Sequence, residues 1–306
     1  MILRRQRLKL QSEPSQHTLT LPLLSTEEQN VCLPLVINVI SKYWGEELSL
    51  FEAEEISKKY PGFRGSIPDL KRKIDQGIPS IVILPGIRET VQHANIVCGY
   101  DANEGRVLTY VPQPDTIGAI PESRFQHDWE QDDMVSIVLV PQDLKQIIEK
   151  ENPRRLESNR ICLEVERLRH EGKIDEAIKK LSRAVELDDD NAQAWCTMGS
   201  IFNEQNSEEA VSFYQKSIER NPAYYLAFRG LGNYYLKKKD FSKAEEHFSD
   251  AIDINPTRFG PIFKNRALAR LQLGDKTGCK NDLIRYLEQV PNANDINSIQ
   301  EALAQL

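Results

Sequence analysis

The sequence predicts two parts, an α+β domain followed by an all-α solenoid of about four helix pairs. Three observations support this division. Up to residue 141, helix patterns are followed by segments with the period of two that is typical of β-strands. Beyond it, nearly all apolar residues recur at helical spacing, and the pattern repeats every 33 to 35 residues. A chain of 306 residues is long enough for two domains of ordinary size.

The first part is predicted to begin with a basic tail at residues 1–18 and a short apolar strand at Leu19–Leu24. The first strong helix follows. It begins at or near Cys32 and ends at Tyr43, because the apolar residues between them fall at helical spacing.

Two further helices are indicated by their caps. Ser49 and Glu52 form a capping box, so a second helix is expected to run to about residue 59. Ser66 is expected to cap a third helix, which has a proline and an aspartate in its first turn. This helix ends at Gly77, a residue that readily adopts the left-handed conformation of a C-terminal cap.

The period of the sequence then changes to two, which favours a mostly antiparallel sheet. A short helix is expected at residues 123–129 and a hairpin loop at residues 101–105. Strands are predicted at residues 80–84, 93–100, 106–111 and 134–140. Helices followed by such a sheet make an α+β arrangement.

The second part repeats one helix–turn–helix unit. Each unit has small residues where its two helices cross closely, and these are Gly199, Gly232 and Ala267 in first helices and Ala177, Ala210 and Ala244 in second helices. Three of the turns between units carry a proline, and residues 295–306 are expected to form a terminal helix. The unit resembles the tetratricopeptide repeat (TPR), which implies a solenoid with a groove for a protein or peptide.

Three polar side chains in the repeats are candidates for peptide binding. Arg229 and Asn233 lie one turn apart in a first helix, and Asn265 comes from the first helix of the next unit. Some TPR grooves hold the carboxylate of a peptide with this spacing, so the resemblance implies a partial clamp. The basic residues that a following repeat would add are absent. The alternative is an ordinary polar face.

In the first part, Cys32 and His93 form a candidate nucleophile and base. A thiol at a helix N-terminus faces unpaired backbone N–H groups and the positive end of the helix dipole, and both favour the reactive thiolate. His93 begins an apolar strand 61 residues later. A cysteine and a histidine that are distant in sequence form the pattern expected of a cysteine nucleophile.

Four ordered segments of residues 19–141 resemble the C39-like peptidase family, which implies a papain-like fold. The segments are the entry strand, the Cys32 helix with its Tyr-Trp-Gly ending, the His93 strand with its Gly-Tyr-Asp turn, and the closing helix and strand. The resemblance implies that Cys32 is the nucleophile and that His93 is the base and acid.

The same resemblance implies two further roles that this chain fills poorly. Thr26 stands where the family has an oxyanion-stabilising glutamine, and Gln29 fills that role only if an insertion realigns it. Val111 stands where the family has an orienting aspartate. Asp115 is the candidate replacement for the aspartate, with Gln113 as an alternative. Loss of one oxyanion donor typically costs about 10²–10³ in rate, so weakened catalysis is expected.

Composition excludes several functions. A net charge of −7, from 39 basic and 46 acidic residues, argues against nucleic acid as the main partner. No apolar run approaches the length of a membrane span. The five cysteines are scattered without a Cys-x-x-Cys pair, which predicts a cytoplasmic protein with no metal site and no cofactor.

The predicted division is a tail at 1–18, a peptidase-like domain at 19–141, a linker at 142–157 and the repeats at 158–306. Two functions fit this division. The first is a cysteine peptidase-like protein that recruits a protein or peptide through its repeats and cleaves an amide bond with Cys32 and His93. The alternative is a catalytically inactive peptidase fold that is retained as a binding module in an interaction scaffold.

Overall fold

A computed structural model describes most of the chain. The described residues are 11–13, 16–22, 32–46, 48–57, 63–85, 92–111, 116–141, 144, 153–254, 260–290 and 293–306. They divide into two compact units, residues 1–84 with 93–163 and residues 85–92 with 164–306. The domain boundaries at 19, 142 and 158 stay predictions.

The first unit is built of short strands and helices. Its helices are α1 (Cys32–Tyr43), α2 (Leu50–Ser57), α3 (Ile67–Asp75) and α4 (Glu122–Glu130). Its strands are β1 (Gln11–Glu13), β2 (Gln16–Thr18), β3 (Phe63–Arg64), β4 (Ser80–Pro85), β5 (Gln92–Asp101), β6 (Arg106–Val111), β7 (Thr116–Pro121) and β8 (Val135–Ile137).

The described strands form one sheet in the order β1-β2-β5-β4-β8-β3, with β6 paired to β5 and β7 paired to β6. The pairs β1–β2, β2–β5, β5–β6, β6–β7, β4–β8 and β3–β8 are antiparallel. Strand β5 is therefore the centre of the sheet. Its pairing with β6 shifts register between Val97 and Gly99, which is typical of a β-bulge.

Helices cover both faces of this sheet. Ala94, Ile96 and Cys98 of β5 share one buried cluster with residues of α1, such as Val36 and Ile40. The alternate residue Val97 belongs to a second cluster with apolar residues of α3 and α4. Since successive side chains of a strand point to opposite faces, the first unit forms three layers with the sheet in the middle.

Local contacts show why α1 and α2 lie where they do. The backbone N–H of Ser49 donates to Glu52 Oε2 at 2.9 Å, and the Glu52 N–H donates to Ser49 Oγ at 3.2 Å, so the predicted capping box is present. At the end of α1, the Tyr43 hydroxyl donates to the Gly77 carbonyl and Trp44 Nε1 donates to the Leu139 carbonyl, both at 2.8 Å. These bonds tie α1 to the end of α3 and to the last strand region.

Most predicted elements of this unit are confirmed. Helix α1 and strand β6 have the predicted bounds, and Ser66 accepts a hydrogen bond from the backbone N–H of Asp69 as the cap of α3. Gly77 has a φ of +76°, as a left-handed helix end requires. The prediction of an α+β arrangement with an antiparallel sheet is correct, whereas the papain-like topology stays a prediction.

The beginning of the chain differs from the prediction. Residues 11–18, predicted as tail, contain β1 and β2, and the described residues 19–22 are not a strand. The polar residues of β2 do not have the pattern of a strand, and β2 is held in the sheet by a backbone contact instead. Strand β2 adds to β5 at Gly99, where a Cβ atom would lie 2.5 Å from the His17 carbonyl oxygen. Only glycine permits this approach.

Strand β7 was not predicted, and β8 is shorter than the predicted residues 134–140. In β7 the side chains of residues 116–119 are exposed and only Ile120 is half-buried. The strand therefore has no alternation of buried and exposed residues, which is the pattern that sequence reasoning depends on.

The second unit contains a run of helices. They are α5 (Pro153–His170), α6 (Ile174–Leu187), α7 (Ala192–Glu204), α8 (Glu209–Arg220), α9 (Tyr225–Lys237), α10 (Phe241–Ile254), α11 (Pro261–Gln272), α12 (Lys276–Gln289) and α13 (Ile296–Gln305). They form four helix pairs followed by α13, as predicted. Helix α5 begins at Pro153, inside the predicted linker.

One backbone feature recurs within every pair. Gly172, Asn206, Lys239 and Gly274 follow the first helices, and their φ angles of +74°, +61°, +63° and +83° are all left-handed. The same turn therefore closes each first helix, which fixes equivalent positions in the four pairs. Helix α13 contributes Ile299, Ala302 and Leu303 to the cluster around buried Ala267 of the fourth pair. It covers the end of that pair, as the sequence predicted.

Replacement of Ile40 by alanine is expected to lower the free energy of unfolding by about 2–5 kcal/mol, because Ile40 is fully buried between α1 and the sheet. Phe51→Ala is the matched control. Phe51 is 71% exposed, so its loss is expected to change stability by about 0.5 kcal/mol or less. Urea denaturation followed by circular dichroism measures both, and equal effects would contradict the assignment of this core.

Candidate functional site

Cys32 and His93 lie on the helix and the strand where the sequence predicts them. Cys32 is the first residue of α1, and His93 is a half-buried residue near the start of β5. Helix α1 packs on β5 through the cluster that contains Val36 and Ile96. The side chain of Cys32 lies outside the described residues, so the contact between the thiol and the imidazole stays a prediction.

The two weaker candidates of this site, Thr26 and Asp115, lie outside the described residues, as do Gln29 and Gln113. Val111 is the last residue of β6 and pairs with Thr116 of β7. The oxyanion and orienting roles are therefore untested predictions.

The other thiols have structural surroundings. Cys98 is fully buried in β5, its Sγ lies 3.6 Å from the Leu108 carbonyl, and burial raises the pKa of its thiol to about 12. Cys162 and Cys279 are each 2% exposed, and burial also raises the pKa of Cys279. Cys196 is half-buried. Within the described ranges, no three His, Cys, Asp or Glu side chains are grouped as metal ligands.

In the second unit, polar side chains connect successive first helices. Arg169 Nη2 of α5 donates to Glu204 Oε1 of α7 at 2.6 Å and to Ser200 Oγ at 3.3 Å. Lys237 Nζ of α9 donates to the Asn203 carbonyl of α7 at 3.0 Å. We use the name ladder face for the surface of the first helices that carries these contacts. Its side chains are Arg169, Ser200, Glu204, Arg229, Asn233, Lys237 and Asn265.

The predicted peptide-binding residues lie together on the ladder face. Asn265 Nδ2 of α11 donates to Asn233 Oδ1 of α9 at 3.0 Å. Arg229 lies one turn before Asn233, and all three side chains are half-buried. Each asparagine residue is therefore partly accessible to solvent. An amide of this kind can both donate to and accept from the backbone of an extended peptide.

A tyrosine from a second helix reaches toward this surface between two glycines. The Tyr214 ring of α8 lies directly against both glycines. A Cβ atom added to Gly199 would lie 2.7 Å from a ring atom, and one added to Gly230 would lie 2.3 Å from a ring atom. Burial raises the pKa of Tyr214, while hydrogen bonds with Asn203 and Ser200 and the charge of Arg229 act in the opposite direction. The Tyr214 hydroxyl is therefore next to side chains of the ladder face.

An acidic residue pairs with Lys264 of α11, next to Asn265 in the sequence. Lys264 Nζ contacts Asp295 Oδ2 at 2.8 Å, and the Tyr286 hydroxyl donates to Asp295 Oδ1 at 2.8 Å. The hydrogen bonds from Lys264 and Tyr286 lower the pKa of Asp295, and Asp295 in turn raises the pKa of Lys264. The positive charge of Lys264 is therefore partly offset by a carboxylate of this chain.

Sequence reasoning missed a network of charges in the fourth pair. Arg266 binds Asp282 through two bonds of 2.7 Å and 2.9 Å, and Arg270 connects Asp282 to Glu245 of α10. The Asp282 side chain is only 3% exposed. A bidentate arginine pair of this kind fixes the geometry of both groups and anchors α11 on α10 and α12. The only signal in the sequence is the spacing of the two arginines, four residues apart.

Comparisons with known proteins agree with the repeat architecture. Family models described as TPR repeat and tetratricopeptide repeat match residues 166–206, 192–224 and 225–258. The C-terminal part of the chain therefore contains tetratricopeptide repeats, as the sequence predicted, and such repeats are a typical scaffold for protein–protein interaction.

Two similar proteins match a part of the chain. Protein bimA of Emericella nidulans is 33% identical over 90 residues, which are 29% of this chain and 11% of that protein. Anaphase-promoting complex subunit 3 of Schizosaccharomyces pombe is 36% identical over 83 residues, which are 26% of this chain and 12% of that protein. The chain thus matches little more than a tenth of the length of these relatives.

Among solved structures, pilF of Pseudomonas aeruginosa is similar, with a TM-score of 0.45 and 18% identity. The alignment covers 50% of this chain and 68% of that one. No helix in the part of the chain that the structure describes is long and apolar enough to cross a bilayer.

Gly230→Ala is expected to lower the free energy of unfolding by about 1–3 kcal/mol, because the new Cβ would lie 2.3 Å from a Tyr214 ring atom. Gly118→Ala is the control, since no heavy atom lies within 4 Å of a Cβ there. Thermal melting of the two variants measures the difference. Unchanged stability of Gly230→Ala would show that Tyr214 moves without cost and that the glycine does not set the helix spacing.

Proposed function

We propose that this chain is a protein-interaction scaffold that recruits a peptide or protein partner on the ladder face of its tetratricopeptide repeats. The observation that carries the proposal is the hydrogen bond between Asn233 and Asn265 of successive first helices, with Arg229 one turn away. These side chains offer a charge and two amides along one surface. That combination suits the backbone and an acidic group of an extended peptide.

Two further facts support recruitment of a partner. The matches to tetratricopeptide repeat models run from residue 166 to residue 258. The helices of the described residues form four such pairs, and a solenoid of this kind needs about three to be stable. One curated relative is, by its name, a subunit of a multiprotein complex. In this proposal the first unit is a second binding module, the protein works in the cytoplasm, and neither nucleic acid nor a membrane is its partner.

The proposal predicts that Asn233→Ala and Arg229→Ala each weaken the recovery of a partner about tenfold in pull-down from cell extract, because each removes a hydrogen-bonding group from the ladder face. Arg285→Ala is the matched control. Arg285 lies on the second helix α12, and its side chain is 59% exposed. Quantitative mass spectrometry compares partner recovery between the variants. Equal recovery by all three would contradict binding on the ladder face.

A second function, cysteine peptidase activity of a C39-like domain, is favoured by one observation. The Cys32 backbone begins the 12-residue helix α1, which packs on the strand that carries His93. The helix dipole favours the thiolate at this position, and the proposal places the imidazole of His93 within reach of it. In this proposal Cys32 attacks an amide carbonyl and His93 transfers the proton, with Thr26 and Asp115 in the weaker oxyanion and orienting roles.

The test of this second function is the pH dependence of alkylation at Cys32, mapped by mass spectrometry of peptides. A nucleophile is expected to react with an apparent pKa below the roughly 8.5 of free cysteine, and His93→Ala is expected to raise that pKa. Half-buried Cys196 and buried Cys98 are internal references. If Cys32 reacts no faster than Cys196 and His93→Ala changes nothing, the peptidase proposal is wrong and the scaffold proposal stands alone.

A further inference from the structure

The side chains of the ladder face change from polar to apolar at the last repeat. Leu268 and Leu271 of α11 are 47% and 40% exposed, and they lie three residues apart, one above the other on the helix surface. The left-handed turn that follows each first helix identifies the positions in the other three repeats that are equivalent to these two leucines. Leu268 corresponds to Glu166, Ser200 and Asn233, and Leu271 corresponds to Arg169, Asn203 and Leu236. Polar side chains thus occupy most of these positions until the fourth pair.

The two leucines are not part of the core of their repeat. Helix α11 already buries Ile262, Phe263, Ala267 and Ala269 against its neighbours. Leu268 follows Asn265 by three residues, so it continues the same side of the helix that carries the bond to Asn233. Two exposed leucines next to a row of polar contacts are typical of a binding surface.

Cations lie at the opposite end of the same two helices. Arg229 of α9 and Lys264 of α11 occupy equivalent positions, seven residues before Leu236 and Leu271. A helix rises about 1.5 Å per residue, so the charged end and the apolar end are about 10 Å apart. An extended peptide covers about 3.3 Å per residue, and that distance corresponds to about three of its residues.

We propose that the ladder face of α9 and α11 binds an extended peptide with an acidic residue and a bulky aliphatic residue about three positions apart. This inference rests on the proposed scaffold function and names its ligand class. The acidic group lies near Arg229, where Lys264 adds a positive charge that its ion pair with Asp295 partly offsets. The peptide backbone lies along Asn233 and Asn265, and the aliphatic side chain packs on Leu268 and Leu271.

The probe for this proposal is a phage-displayed library of random ten-residue peptides, selected on the immobilised full chain. The wild-type chain is expected to enrich peptides with an acidic and an aliphatic residue at the stated spacing. Leu268→Ser with Leu271→Ser is expected to lose the aliphatic preference, keep the acidic one, and bind the selected peptides about tenfold more weakly. Ile284→Ser is the matched control, because Ile284 is 41% exposed but lies on α12.

Several outcomes would overturn the proposal. One such outcome is that the wild-type chain enriches peptides without the stated spacing, and another is that the double variant enriches the same peptides as the wild type. Either result would show that the leucines do not select the ligand, and the scaffold function would remain possible. A wild-type dimer that becomes monomeric in the double variant would assign the leucines to a second copy of the chain. A lower melting temperature of the double variant would assign them to the core. Failure of every chain to enrich peptides would reject the scaffold function itself.

Discussion

The close approach of neighbouring helices at glycine is the constraint on which the second unit depends. Tyr214 lies against both Gly199 and Gly230, and Phe248 lies against Gly232, at distances that leave no space for a Cβ. Aromatic rings from second helices thus fill the space that glycines leave in first helices. This spacing keeps successive first helices close enough for short side chains such as Asn233 and Asn265 to meet. Packing and the candidate binding surface therefore have one cause.

The ladder face owes its character to repetition. Equivalent residues of each repeat lie on the same side of the solenoid. Polar residues at those positions therefore form a row, and no contact between distant repeats is needed to align them. The row is interrupted where Asp295 pairs with Lys264 and where leucines replace polar residues on α11. Such interruptions distinguish this chain from a generic repeat array, and the proposed ligand class rests on them.

The first unit was predictable where apolar periodicity or caps were strong. Helix α1, the Ser49 and Ser66 caps and strand β6 followed from those patterns. Strands β2 and β7 did not, because β2 is a polar strand of three residues and β7 is an exposed edge strand. Both are held by backbone hydrogen bonds, which leave little trace in the pattern of side chains. In the candidate site, the spacing of Arg229, Asn233 and Asn265 was visible in the sequence, whereas the charge network around Asp282 was not.

The sequence by itself determined the two-part organisation, the repeats and their period, and the position of Cys32 at a helix start. These are local properties, set by the period of apolar residues and by the conformations that individual residues prefer. Only the tertiary structure decided which polar side chains meet across helices, which leucines stay exposed, and where Gly99 receives an added strand. These properties depend on distances between residues far apart in the chain, which no local pattern encodes.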